Sequence, residues 1–175
     1  RPINYYGYSK LIMENHIKLL ARVGNLKYII LRPSNVYGKY QRIESKQGFI
    51  AVALGKMLSN QDIEIWGDGK TVRDYVDVSD IAMAVRNVID KNIENKIFNL
   101  GSAEGHSLAR VVQFLEKYLN RSATVIYKDK REVDVEKTIL DISSLESFID
   151  YNPKKLDEGI KDFIAHLSKQ KTDGK

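Results

Sequence analysis

The sequence predicts an α/β protein, and three observations support this prediction. Short apolar runs suited to strands alternate with longer amphipathic stretches suited to helices. The connections between them are short, as in layered α/β folds. The chain shows no internal repeat and no low-complexity linker, and its 175 residues suffice for one domain or a large part of one.

The first half of the chain begins with a helix and continues with strand signals. The helix is predicted from about Gly7 to Val23, with an apolar arc near half the circumference, wide enough for two packing partners. The segment "LKYIILRP" (26–33) is typical of a buried strand stopped by proline, and "GFIAVALGKML" (48–58) of a helix. Two strand-like runs flank Asp68-Gly69 in "IEIWGDGKTVRDYV" (63–76), which predicts a β-hairpin.

The second half repeats this alternation. Two of its helices have serine at a plausible N-cap, Ser79 and Ser107. In order, the predicted elements are the helix "VSDIAMAVRNVID" (78–90), the strand "KIFNLG" (96–101), the helix "SLARVVQFLEKYL" (107–119), the strands "ATVIYK" (123–128) and "TILDI" (138–142), and the helix "KLDEGIKDFIAHL" (155–167).

Composition narrows the possible functions. The chain has no cysteine, which excludes disulfides and thiolate metal sites and fits a reducing, cytoplasmic compartment. No apolar run approaches the ~18 residues of a membrane span, so no membrane partner is expected. The net charge is +5, but the basic residues are scattered among acidic ones, which argues against nucleic acid as a binding partner. No His/Asp/Glu spacing suggests a metal.

The stretch "INYYGYSK" (3–10) places three tyrosines before one lysine. Only Tyr6 lies four residues before Lys10, the spacing that makes two helical residues neighbours. A cation beside a phenol favours its ionised form, so this pair is a candidate acid/base. A second match, Tyr151/Lys155, has Pro153 between its members, which argues against a mid-helix pair.

No glycine-rich phosphate turn is present in these residues. Neither G-x-G-x-x-G nor G-x-x-G-x-x-G follows any predicted strand, and Gly67 and Gly69 have no third member. We therefore expect this chain by itself not to bind a dinucleotide tightly, and to be inactive alone.

Five motifs, taken in order, resemble one family: "YGYSK" (6–10), "LRPSNVYG" (31–38), "WGDGKTVRDYVDVSD" (66–80), "FNLGS" (98–102), and "REVD" with "LDISSLESFIDYNPKKLDEGI" (131–160). The chain is similar to the C-terminal half of an extended short-chain dehydrogenase/reductase of the NAD-dependent nucleotide-sugar epimerase/dehydratase group. The resemblance implies an incomplete Rossmann-like fold, the C-terminal part of its parallel sheet, with a small α/β substrate-binding region. Residues 1–40 and 76–101 would belong to the NAD-binding part, residues 41–75 and 102–170 to the nucleotide-sugar-binding region, and residues 171–175 to a tail. The family's N-terminal half, with its glycine turn, would be missing.

The resemblance also implies roles for particular residues. Tyr6 would be the catalytic base, Lys10 would hold the nicotinamide ribose of NAD, and Pro33 would line the nicotinamide. The expected substrate contacts are Asn35, Arg73, Arg131 and Asp134, because arginine forks suit a diphosphate and a carboxylate suits ribose hydroxyls. Thr138 would border the sugar pocket, where a small side chain leaves room for an N-acetyl group; alternatively it simply begins a strand and faces away from ligand.

The implied activity is reversible epimerisation of a nucleotide-diphosphate sugar, with a UDP-sugar as the expected partner, through a transient keto-sugar. A 4,6-dehydratase would share nearly all these residues, and a non-catalytic remnant that binds a nucleotide or a partner is a further alternative. Ser34, Lys39 and Asp77 depart from residues common in the family, which leaves the exact sugar open. We also expect a homodimer through the helix at residues 7–23.

Overall fold

The computed structural model describes residue 2 and residues 4–130 and 135–173. Its helices are α1 (Tyr5–Gly24), α2 (Phe49–Leu58), α3 (Val78–Asp90), α4 (Leu108–Leu119), α5 (Ser143–Glu146) and α6 (Leu156–Asp173). Its strands are β1 (Ile29–Pro33), β2 (Asn35–Tyr37), β3 (Ile63–Trp66), β4 (Val72–Asp77), β5 (Lys96–Leu100), β6 (Gly105–Ser107), β7 (Val125–Lys128) and β8 (Lys137–Thr138). The α/β prediction is confirmed.

Strand pairing is mostly parallel. β1 pairs with β5, β2 with β4, β3 with β7, and β8 with β4, all in parallel. β6 runs antiparallel to β4. β4 therefore has three partners: its first residues contact β6 and β8, and its last three residues pair with β2.

The predicted hairpin at residues 63–76 is wrong. β3 and β4 do not pair with each other; β3 pairs instead with β7, about sixty residues further along the chain. Gly67 and Gly69 have φ of +87° and +78°, and the Asp68 side chain accepts a hydrogen bond from the Lys70 N–H at 3.0 Å. The glycine-rich segment thus forms a loop that leads the chain from one sheet to another.

Local capping explains where several helices begin. α1 begins two residues earlier than predicted because the Asn4 side chain accepts from the Gly7 N–H at 2.8 Å. Ser107 caps α4 as predicted, accepting from the Arg110 N–H at 3.1 Å. The prediction of Ser79 as a cap is wrong, because the Asp77 carboxylate accepts from the Ser79 N–H at 2.8 Å and caps α3 itself.

The core consists of two hydrophobic clusters. One joins β2, β3 and β4 to α2, α4 and α6, and includes Tyr37 and Tyr75. The other joins β4 and β5 to α3 and α5, and includes Val76 and Phe98. Tyr75 belongs to the first cluster, and the next residue of β4, Val76, belongs to the second. The division of the chain into two regions stays a prediction.

Helix α1 has no buried residue, unlike the other long helices. Its exposed apolar side chains include Ile12, Met13, Leu19 and Val23, the last 74 % exposed. The wide apolar arc expected from the sequence is therefore present, and the described residues do not cover it.

Candidate functional site

A cavity of about 550 Å³ opens where β2, β3, β4 and the start of α2 converge. This volume suits a small-molecule ligand. Two of the expected substrate contacts, Asn35 and Arg73, line it. The other lining residues are Val36, Tyr37, Gln41, Gln47, Gly48, Phe49, Ile50, Glu64, Ile65, Trp66, Thr71, Tyr75 and Leu108.

The strands hold Asn35 and Arg73 in place. Asn35 is paired with Tyr75 in the β2–β4 register, and its Nδ2 donates to the Asp74 carbonyl at 2.8 Å. Arg73 Nη1 donates to the carbonyls of Val72 at 2.9 Å and of Val135 at 2.6 Å. The guanidinium is thus fixed against the segment that begins at residue 135.

Thr138 lies directly opposite Arg73 in the β4–β8 register. It is half-buried and is not among the residues that line the cavity. The rest of the predicted "TILDI" strand does not continue β8, because the Leu140 N–H bonds to the buried Asp74 carboxylate. Arg131 and Asp134 lie outside the described residues.

Tyr6 and Lys10 are neighbours on α1, with Lys10 Nζ 5.4 Å from the centroid of the Tyr6 ring. Both side chains are exposed, Tyr6 to 72 %. Neither lines the cavity. Pro33 ends β1, paired in register with Leu100, and Ser34 leads directly from it to Asn35.

The second tyrosine–lysine match is structural, as Pro153 suggested. Tyr151 is buried, and its hydroxyl donates to the Gly101 carbonyl at 2.8 Å. Burial, together with the negative charges of Asp80 and Asp74, raises the pKa of this phenol above its ordinary value.

Tyr75 is a cavity residue that the sequence reasoning missed. It follows Arg73 by two residues on β4, so both side chains lie on one face of the strand. Burial raises the pKa of the Tyr75 phenol above its ordinary value, so it is a neutral phenol at physiological pH. Its hydroxyl is buried and makes no hydrogen bond within the described part of the chain.

Glu64 and Trp66 were also missed. They share the exposed face of β3, and both line the cavity. The alternation of buried Ile63 and Ile65 with these two residues is visible in the sequence, but the hairpin prediction placed that face beside the wrong neighbour.

Two of the three departures from the family pattern have local structural roles. Ser34 Oγ donates to Asp74 Oδ1 at 3.1 Å, and Asp77 caps α3. Among the described residues, no cluster of three or more His, Asp or Glu side chains could hold a metal ion. No helix in residues 4–130 or 135–173 is long and apolar enough to cross a membrane.

Comparison with known proteins places this geometry in a family. Residues 1–101 match the NAD dependent epimerase/dehydratase family. A Methanocaldococcus jannaschii protein provisionally assigned as a UDP-glucose 4-epimerase is 38 % identical over 161 residues, which cover 91 % of this chain and 52 % of that protein. An Escherichia coli dTDP-4-dehydro-6-deoxyglucose reductase is 34 % identical over 163 residues, covering 93 % and 52 % of the two chains.

A solved structure shares the fold. The UDP-glucose 4-epimerase of Thermotoga maritima, crystallised with UDP-glucose, is 32 % identical and superimposes with a TM-score of 0.88 over 97 % of this chain and 55 % of that one. The chain spans about half the length of the relatives it matches. On this match of sequence and fold, the chain belongs to the NAD dependent epimerase/dehydratase family.

Proposed function

We propose that this chain supplies the nucleotide-sugar site and the acid/base pair of an NAD-dependent epimerase that acts on a UDP-hexose or UDP-N-acetylhexosamine at C4. The observation that carries the proposal is the cavity of about 550 Å³ that brings Asn35 and Arg73 together. It combines a fixed cation, polar amides and aromatic surface, the mixture that a nucleotide diphosphate requires.

Arg73 is the anchor for the diphosphate. Its Nη1 is held by two backbone carbonyls, so the guanidinium loses little freedom when it binds an anion. Asn35, on the neighbouring strand, offers its amide to a phosphate or sugar oxygen. The exposed face of β3 offers Trp66 as a flat surface for a base.

Tyr6 and Lys10 fit the nicotinamide end of NAD. The exposed phenol and the adjacent ammonium can hydrogen-bond to hydroxyls of the sugar substrate and of the NAD ribose. Pro33 would add an apolar contact. NAD, when bound, supplies reversible hydride transfer. The protein's part is proton transfer: Tyr6 takes the proton from the C4 hydroxyl and returns it, while Lys10 stabilises the phenolate.

We further propose that α1 forms a homodimer contact, because its apolar face is exposed over nearly the whole helix. Light scattering tests this: replacing Ile12 and Leu19 by glutamate should convert a dimer to a monomer. If the wild-type chain is already monomeric at micromolar concentration, the proposed contact is wrong for this chain. A cytoplasmic location fits the absence of cysteine.

Titration calorimetry of this chain with UDP, and separately with uridine, tests the nucleotide site. We expect UDP to bind more tightly than uridine, and Arg73→Ala to weaken UDP by about tenfold or more, since hydrogen bonds to charged groups contribute about 1.5–3 kcal/mol. Lys70→Ala is the matched control, because Lys70 is an exposed cation that pairs with Asp68 at 3.1 Å and does not line the cavity. Equal binding of UDP and uridine, or equal losses in the two variants, would contradict the proposal.

A further inference from the structure

The Asp74 carboxylate is a buried junction between three segments of the chain. It is fully inaccessible to solvent, yet it accepts four hydrogen bonds. Ser34 Oγ donates at 3.1 Å, the Ser102 N–H at 2.8 Å, Ser102 Oγ at 2.9 Å, and the Leu140 N–H at 3.1 Å. A buried carboxylate is costly unless it is hydrogen-bonded in this way.

The two oxygens of Asp74 have different partners. Oδ1 accepts the three bonds from Ser34 and Ser102, and Oδ2 accepts the single bond from Leu140. Close approach is possible because residue 101 is glycine: a Cβ there would lie 2.5 Å from Oδ2. Each oxygen therefore holds its own part of the chain.

Both parts adjoin cavity residues of the proposed nucleotide-sugar site, although neither part lines the cavity itself. Ser34 lies between Pro33 and Asn35. Leu140 ends a segment that begins at Val135, whose carbonyl accepts from Arg73, and that continues through Thr138, opposite Arg73. Asp74 lies on the face of β4 opposite Arg73 and Tyr75, and it thus joins the residue before Asn35 to the segment that accepts a hydrogen bond from Arg73.

We propose that Asp74 is a positioning residue of the nucleotide-sugar site, an inference that rests on the proposed function. Its Oδ2 bond to Leu140 holds residues 135–140 against Arg73, and its Oδ1 bonds hold Ser34, and through it Asn35. Neither carboxylate oxygen touches the ligand. Asp74 acts through the residues that do.

A carboxylate is required because both oxygens must accept. In Asp74→Asn, the amide oxygen is expected at the Oδ1 position, where it keeps three donors. The amide NH₂ then faces the Leu140 N–H, and two donors cannot bond to each other. The substitution preserves shape and selectively releases residues 135–140.

Amide hydrogen exchange and UDP calorimetry, both well below the melting temperature, test this selective release. In Asp74→Asn we expect Leu140 to exchange at least about tenfold faster, Ser102 to stay within about threefold, and the Kd for UDP to rise about tenfold. Asp80→Asn is the matched control: Asp80 is buried, accepts from the Lys154 N–H at 2.9 Å, and does not line the cavity. The Kd of the Asp80→Asn variant for UDP should stay within twofold of wild type even if the melting temperature of the variant changes.

A merely structural role predicts a different result: a lower melting temperature for Asp74→Asn, with a wild-type Kd for the folded protein. That outcome, or unchanged exchange at Leu140, would overturn the proposal. If wild type itself does not bind UDP, the proposed function fails, and exchange at Leu140 alone decides whether Asp74 holds the segment. Should Asp74→Asn not fold, Ser34→Ala replaces it, with an expected two- to fivefold weaker UDP binding; no change would count against the proposal.

Discussion

Arg32 and Glu14 form a two-pronged ion pair that ties α1 to β1. Arg32 Nε lies 2.7 Å from Glu14 Oε1, and Nη2 lies 2.5 Å from Oε2. Among the hydrogen bonds between described residues, these two join α1 to the rest of the protein. Because Arg32 precedes Pro33, the pair also sets the position of Tyr6 and Lys10 relative to the end of β1.

Acid is expected to loosen α1 through this pair. The hydrogen bond from Arg32 holds the pKa of Glu14 below its ordinary value. The stabilisation is therefore fully present above the unfolded-state pKa of a glutamate, and is lost as the pH falls through the lower folded-state pKa. Glu14→Gln should speed amide exchange in α1 at neutral pH by about two- to fivefold, the range for a partly exposed pair. Glu94→Gln, which removes a single exposed contact to Lys27 at 2.7 Å, should leave amide exchange in α1 unchanged. Equal effects in both variants would show that the Glu14–Arg32 pair does not hold α1 in place.

Tyr6→Phe removes one hydroxyl. The test uses an active full-length protein, about as long as the relatives, that contains this sequence. In it we expect turnover to fall by about 10²–10⁴, the usual loss for a general acid/base. Tyr8→Phe is the control, because Tyr8 is also exposed, to 60 %, but lies two residues from Lys10 and not four. Steady-state kinetics with both variants checks this, and wild-type turnover in Tyr6→Phe would disprove the assignment.

Thr138→Tyr tests sugar selection. If Thr138 borders the sugar, a tyrosine there, in the active full-length protein used for Tyr6→Phe, should reduce kcat/KM for UDP-N-acetylglucosamine far more than for UDP-glucose, because only the larger sugar meets the ring. Thr124→Tyr, on an exposed loop before β7, is the control. The pairing of Thr138 with Arg73 keeps it near the site, although it does not line the cavity. An unchanged ratio of the two substrates would remove Thr138 from the site.

Gly159→Ala is expected to destabilise the protein by about 1–3 kcal/mol, the usual cost of overpacking. A Cβ at residue 159 would overlap the Tyr37 hydroxyl, which is buried and makes no hydrogen bond among the described residues. Tyr37→Phe should restore only part of this loss in the double variant, since it removes the hydroxyl but leaves Cζ, which lies 2.8 Å from the added Cβ. Gly24→Ala is the control, with nothing within 4 Å of its added Cβ, and should be neutral or slightly stabilising. Thermal unfolding of Gly159→Ala, Tyr37→Phe, the double variant and Gly24→Ala measures these changes in stability. If the losses at residues 159 and 37 simply add in the double variant, the two side chains do not overlap.

The elements that the sequence predicted well are those defined by neighbours in the chain. Helices α2, α4 and α6 follow from apolar periodicity, and the Ser107 cap from one side chain and the next turn. The hairpin at residues 63–76 failed because the partner of β3 is β7, and no local pattern distinguishes a parallel partner sixty residues away. Asp77 was missed as a cap because serine and aspartate are both good caps and stand two residues apart.

The same distinction applies to the site. The spacing of Tyr6 and Lys10 could be read directly, because both belong to one helix. Tyr75, Glu64 and Trp66 share a cavity with Asn35 and Arg73 only through the arrangement of three strands and α2, which the sequence did not predict. The buried role of Asp74 required the positions of Ser34, Ser102 and Leu140, which are far apart in the chain.

The alternation along β4 constrains how this stretch can change in length. Arg73 and Tyr75 face the cavity, and Asp74 faces the buried junction. Losing or gaining one residue at the start of the strand would turn the guanidinium into the interior and the carboxylate toward the cavity. A single substitution changes one of the two faces, whereas a single-residue deletion would reverse both chemical faces at once. The separation of the cavity face from the buried face of β4 therefore depends on the alternation along six consecutive residues.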